Sequence, residues 1–171
     1  TPCGTLFPYT TLFRSGKTEH LVKADSHEHT ETGHITEDPE IRKQMVDKRL
    51  KKEEGICKEV VPPDYEGDDK PDLLFVTWGS TVGVVAEVVD RLQSDGKRVG
   101  QLHFSQVWPL VPEQFLDRLE QAGEVICVEG NATGQFARLI RRETGFFIPR
   151  HIRRYDGRPF TPEWILRELN A

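Results

Sequence analysis

Residues 72–104 read DLLFVTWGSTVGVVAEVVDRLQSDGKRVGQLHF, and this stretch decides the fold. Asp72–Trp78 is a short apolar run of the buried-strand kind. From Thr81 to Ser94, Val85, Val88, Val89 and Leu92 recur at i, i+3, i+4 and i+7, so one helical face is apolar. Gly96 closes that helix, and Arg98–Phe104 forms a second strand. The alternation continues outward. Pro112 opens a helix carrying Phe115, Leu116 and Leu119 and ended by Gly123; Glu124–Val128 is a third strand. Thr133–Thr144 is a helix with Phe136, Leu139 and Ile140 on one face and Gly145 as its stop. Phe146–Ile148 or His151–Arg153 supplies a further strand, and Thr161-Pro162 caps a last short helix. Only a crossover helix returns the chain to the same end of a sheet, so these repeats demand mainly parallel strands. Strands this apolar are covered on both faces, which predicts a three-layer α/β/α sandwich. The pattern leaves the strand order open.

Toward the N-terminus the composition changes. Glu59–Pro71 (EVVPPDYEGDDKP) is a Pro- and Asp-rich connector in which no regular structure is expected. Asp38-Pro39 is a helix start, with Asp as N-cap and Pro at the first helical position. That helix should run to Glu54 and stop at Gly55, its narrow stripe of Ile41, Met45, Val46 and Leu50 suiting a docking helix. Gly16–Glu37 is polar and holds His20, His27, His29 and His34. Thr1–Ser15 carries a single charge, at Arg14, and is expected to be foreign to the fold. The expected division is therefore 1–15, then 16–71, then an α/β domain over 72–171. A first residue of Thr1, with Met45 as the only methionine, suggests a piece of a longer protein.

Bulk properties exclude several classes of function. A chain of 171 residues has the size of one domain with appendages. With 23 Lys+Arg against 28 Asp+Glu, the formal charge of -5 argues against a basic nucleic-acid-binding face. No apolar run approaches the ~18 residues of a membrane span. Cys3, Cys57 and Cys127 form no C-x-x-C, so the chain builds neither a disulfide framework nor a four-cysteine zinc or iron–sulfur site. A reducing, cytoplasmic setting is the default expectation.

Ligands of open parallel sheets lie beyond the C-terminal strand ends, which directs attention to three loops. In Trp78–Thr81, Gly79 allows a tight turn. Ser80 or Thr81 either caps the following helix or leaves its N-terminus to an anion. Glu129–Gln135 packs Asn131, Thr133, Gly134 and Gln135 into one strand–helix turn, read as a subunit contact, a ligand contact or a structural turn. His103–Pro109 offers a histidine that reads as packed rather than catalytic. His27-x-His29, with Asp25 and His34 nearby, has metal-compatible spacing, but the segment is loop-like and no second ligand cluster follows, so no metal is expected. No G-x-S-x-G, P-loop or G-x-G-x-x-G follows any strand.

Several runs together resemble one family: Val22–Glu40 (VKADSHEHTETGHITEDPE), Val76–Gly83 (VTWGSTVG), Leu102–Pro109 (LHFSQVWP), Val128–Leu139 (VEGNATGQFARL) and Tyr155–Pro162 (YDGRPFTP). They are similar to the alpha subunit of 2-oxoacid:ferredoxin oxidoreductases, most like the 2-oxoglutarate type, over about Leu21–Leu169. The resemblance implies a transketolase C-terminal-like domain, with a five-stranded mixed sheet containing one antiparallel strand. It implies an enzyme that oxidatively decarboxylates a 2-oxoacid to an acyl-CoA and reduces ferredoxin. Thiamine diphosphate, Mg and an iron–sulfur cluster would then be carried mainly by other domains and by the beta subunit, and none by this fragment alone. The fragment holds no catalytic residue in that reading. Its ligand or interface candidates are His27, His29, His34, Gly79, Ser80, Thr81, Asn131, Thr133, Gly134, Gln135, Asp156 and Gly157. The His27–His34 stretch would lie near the junction with the beta subunit. The competing expectation is a non-catalytic anion- or nucleotide-binding α/β module using the Ser80 and Thr133 helix N-termini.

Overall fold

The computed structural model describes residues 26–30 and 32–170. The expectation for Thr1–Ser15 lies outside them. The chain divides into two compact units, Thr1–Glu53 and Glu54–Ala171.

In the first unit Thr30 and His34 pair across a short turn (N–H to carbonyl, 2.9 Å), and His29 bridges Ile35. Helix α1 (Pro39–Lys58) starts as its sequence dictates, because the Asp38 carboxylate accepts the N–H groups of Glu40 (2.8 Å) and Ile41 (3.3 Å). It runs past Gly55, where a stop was expected, since Gly55 keeps a helical backbone rather than the left-handed conformation that ends helices. None of its residues is buried.

The second unit is built on β1 (Asp64–Gly67), β2 (Leu73–Trp78), β3 (Val99–Phe104), β4 (Glu124–Glu129) and β5 (Arg150–Arg153), in the order β1-β3-β2-β4-β5. Strands β3, β2, β4 and β5 are parallel, and β1 runs antiparallel to β3. The helices are α2 (Val82–Ser94), α3 (Leu116–Gln121), α4 (Gln135–Thr144) and α5 (Pro162–Leu169). Alternation along each strand separates two cores. Phe75, Val99, Ile126, Val128 and Ile152 meet α2 and α5 through Val85, Val88, Val89, Leu92 and Ile165. Leu74, Val76, Leu102, Phe104, Val125 and Cys127 meet α3 and α4 through Leu119, Phe136, Ala137 and Ile140. The sandwich and the single antiparallel strand are as expected.

Two local expectations are corrected. The connector contributes β1, whose Tyr65 packs on the α3/α4 core. An edge strand of four residues with one core-facing side chain carries almost no periodicity. Gly67 and Gly100 face each other across the pairing because a Cβ on either would strike the opposite strand. The helix expected from Pro112 begins as a 3-10 turn, Pro112–Gln114, and α3 proper has only six residues. Of the two candidate last strands, the one at His151–Arg153 forms.

Candidate functional site

The strand order reverses between β2 and β4: the chain leaves β2 toward β3 on one side and leaves β4 toward β5 on the other. Such a reversal opens a crevice at the C-terminal strand ends. A hollow of about 690 Å³ lies there, lined by the loops after β2, β4 and β5, with Ser80, Thr81, Asn131, Gln135 and Gly157 in its wall. Five of the residues singled out from sequence thus meet in one place.

Each loop is fixed from within. After β2, Gly79 takes φ +59°, a left-handed turn that leads into the 3-10 turn Gly79–Thr81 and then α2. The buried Thr81 hydroxyl donates to the Trp78 carbonyl (2.9 Å) and accepts the Trp78 N–H (3.3 Å), closing the turn on itself. Ser80 is exposed, and neither helix start carries a side-chain cap, so the expected Ser80 cap is absent.

After β4 the organising group is Glu129, which is fully buried. Its carboxylate accepts the N–H groups of Phe136 (2.8 Å) and Ala137 (3.2 Å), the Asn131 amide (2.8 Å) and the Trp78 indole N–H (3.4 Å). Burial pushes its pKa up, but the hydrogen bonds from Phe136, Asn131, Ala137 and the Cys127 thiol outweigh burial and hold it below the usual carboxylate value. Asn131 Oδ1 in turn accepts the N–H groups of Thr133 (3.2 Å), Gly134 (2.8 Å) and Gln135 (3.1 Å). Five successive amides at the start of α4 are therefore satisfied by two side chains. The N-terminus at Thr133, considered for an external anion, is already occupied by the chain's own Asn131 amide oxygen and Glu129 carboxylate. Sequence reasoning passed over Glu129. The signal was an acid ending an apolar strand at the turn that leads into a helix N-terminus.

After β5, Arg154 donates through Nε to Asp156 Oδ1 (3.0 Å) and through Nη1 to the Pro159 carbonyl (2.6 Å), with its guanidinium 5.1 Å from the Trp164 ring. Asp156 also accepts the Arg158 N–H (3.0 Å), and the Arg154 hydrogen bond lowers its pKa. Asp156 thus shapes the loop, and Gly157 turns it at φ +80°. Tyr155 stands 69% exposed at the mouth.

The remaining histidines and acids are not among the residues lining the crevice. His103 is packed, its Nδ1 3.0 Å from Thr77 Oγ1, and burial lowers its pKa. His27, His29 and His34 belong to the first unit, where His34 Nδ1 lies 3.0 Å from Thr32 Oγ1 and Glu28 forms a bidentate pair with Arg49 (2.6 and 3.1 Å). Asp25 is outside the described residues. Among the described residues no three His, Cys, Asp or Glu side chains converge as a metal site. Their cysteines are Cys57 and the buried Cys127, a set that does not fit an iron–sulfur cluster. No described helix is long and apolar enough to cross a membrane.

Fold and crevice define a class, the open α/β sandwich that presents a surface at its strand-order reversal. The sequence and fold comparisons go further. Residues 71–165 match the family model for pyruvate:ferredoxin oxidoreductase core domain II, and the chain belongs to that family. It is 36% identical over 138 residues to the alpha subunit of 2-oxoacid:ferredoxin oxidoreductase 1 from Aeropyrum pernix, covering 77% of this chain and 21% of the relative. The corresponding subunit from Sulfurisphaera tokodaii is 34% identical, with 78% and 21% covered. A 2-oxoglutarate:ferredoxin oxidoreductase from Magnetococcus marinus, solved with 2-oxoglutarate, coenzyme A and succinyl-CoA bound, superposes with a TM-score of 0.74 at 31% identity. That superposition covers 91% of this chain and 27% of the other. The chain spans about a fifth of the length of the curated relatives it matches.

Proposed function

We propose that this chain is one domain of the alpha subunit of a thiamine-diphosphate-dependent 2-oxoacid:ferredoxin oxidoreductase of the cytoplasm. The whole enzyme decarboxylates 2-oxoglutarate or a related 2-oxoacid oxidatively, forms the acyl-CoA and reduces ferredoxin. Its beta subunit is the chain's direct partner. The observation that carries this reading is the fold agreement over 91% of the chain with the Magnetococcus marinus enzyme.

The domain's own contribution is assembly. Its crevice is lined by loops already closed on themselves, and it exposes Tyr155 and Arg158, side chains of the types that anchor protein interfaces. An anion held by the Thr133 helix N-terminus is disfavoured because the α4 amides are satisfied internally.

The test is co-purification of the intact alpha subunit with its beta partner, followed by 2-oxoacid- and coenzyme-A-dependent reduction of ferredoxin. Changing Tyr155→Ala together with Arg158→Ala should weaken subunit association about tenfold or more, while turnover per assembled complex stays unchanged. If no 2-oxoacid supports reduction, the enzymatic reading fails. Unchanged association in the double variant would refute the assembly role alone.

A further inference from the structure

A second hollow, about 280 Å³, is lined by residues of α4, β5 and the segments before them and shares no lining residue with the crevice. Its wall includes Arg138, Arg141, Arg153, His151 and Thr133. Arg138 and Arg141 stand three residues apart on α4, a spacing that puts both on one helical face. Arg153 ends β5 and is held by donating to the Ala132 carbonyl (2.9 Å). Arg141 is oriented by its position 4.8 Å from the Phe147 ring centroid.

The pairing pattern sets these arginines apart. Among the described residues, every arginine except Arg138, Arg141, Arg153 and Arg158 forms an ion pair with a carboxylate. Three of those four line this one hollow, in a chain whose acids outnumber its bases. No Asp or Glu is among the residues that line the hollow, and the Glu129 carboxylate at the start of α4 is engaged by the Phe136 and Ala137 N–H groups. His151 adds a further polar ring to the wall, its Nδ1 buried without a hydrogen-bond partner.

We propose that this hollow binds a phosphoryl or diphosphoryl group. Guanidinium groups match phosphate oxygens with paired N–H donors, and three such charges suit a multiply charged anion better than one carboxylate. The volume equals roughly nine water molecules at about 30 Å³ each, enough for a diphosphate. It falls below the ~300–1,000 Å³ of pockets that enclose a whole cofactor-sized ligand. The group recognised is therefore either a free phosphate or the phosphate end of a larger molecule that extends into solvent. This inference is independent of the enzymatic reading, because it uses only residues of this chain.

Titration calorimetry of the full chain at low salt, with inorganic phosphate, pyrophosphate, coenzyme A and succinate, tests it. Pyrophosphate should bind saturably at one site. The Arg138→Gln/Arg141→Gln double variant should weaken it about tenfold or more, and Arg142→Gln, outside the hollow, by less than about twofold. Circular dichroism verifies that the variants are folded, and a single Arg141→Gln replaces the double variant if that one is not. Displacement of pyrophosphate by coenzyme A would identify the carried phosphate as the natural source; binding of phosphate and pyrophosphate without such displacement would identify the free anion. No saturable binding, equal weakening by Arg142→Gln, or succinate binding as tightly as pyrophosphate would overturn the proposal.

Discussion

Replacing Glu129 by glutamine removes one negative charge and turns one acceptor into a donor, with almost no change in volume. The best placement of the new amide keeps its oxygen on Phe136 N–H, Asn131 and Trp78, and turns its NH2 toward Ala137 N–H and the Cys127 thiol. One backbone N–H then loses its acceptor inside the protein, a loss of about 1–3 kcal/mol. Its neighbours exchange a charged acceptor for a neutral one, and the favourable interaction with the start of α4, about 0.3–2 kcal/mol, disappears. Burying a neutral amide is cheaper than burying a carboxylate, which offsets part of this. The expected net loss is about 2–3 kcal/mol, or roughly 5–10 °C in melting temperature for a chain of this size. Urea unfolding of the chain measures it. The pH profile gives an independent readout. Because the folded carboxyl is held low, its contribution is complete above the unfolded value of about 4.3 and is lost as pH falls through the folded pKa. The Gln variant should therefore lose less stability than the parent on acidification. A variant as stable as the parent at pH 7, with the same acid limb, would refute the assignment of Glu129 as the ion that completes α4.

Further outcomes concern the same loops and the buried thiol. Asn131→Ala should destabilise by about 1–2 kcal/mol in urea unfolding, because Thr133, Gly134 and Gln135 lose their shared acceptor. Asn131→Asp should not restore it, since a second carboxylate would then face Glu129. Gly79→Ala, at φ +59° in open space, should cost about 1–2 kcal/mol for backbone strain alone. Gly134→Ala should cost more by thermal melting, because its Cβ would also press on His151 Nδ1 at 3.3 Å. Burial, followed by the nearby Glu129, raises the Cys127 thiol well above its ordinary pKa. Alkylation followed by peptide mapping should therefore leave Cys127 unlabelled in the folded chain and labelled after unfolding.

Elements whose side chains face a core were legible in the sequence. The apolar runs of β2, β3 and β4 and the valine stripe of α2 stand close to where they were expected. Strand β1 was not, because an edge strand with only Tyr65 packed inward leaves no alternation to read. The loops that make the crevice announced themselves through glycines and short polar residues. The ties that shape them did not, because Glu129 reaches Trp78 across 51 positions and Arg154 is held by carbonyl and ring contacts invisible to spacing. His27, His29 and His34 attracted attention by number, yet among the described residues no three His, Cys, Asp or Glu side chains converge as a metal site.

A helix whose first turn is completed by a buried carboxylate of the same chain has a further consequence for docking. The loop at the start of α4 acquires its shape when the domain folds, so a surface arriving at the crevice meets a finished template and need not restrict that loop's freedom. Added salt, which screens exposed ion pairs, has little access to a carboxylate at 0% exposure, so that template should keep its form across ionic strengths that loosen the surrounding surface contacts.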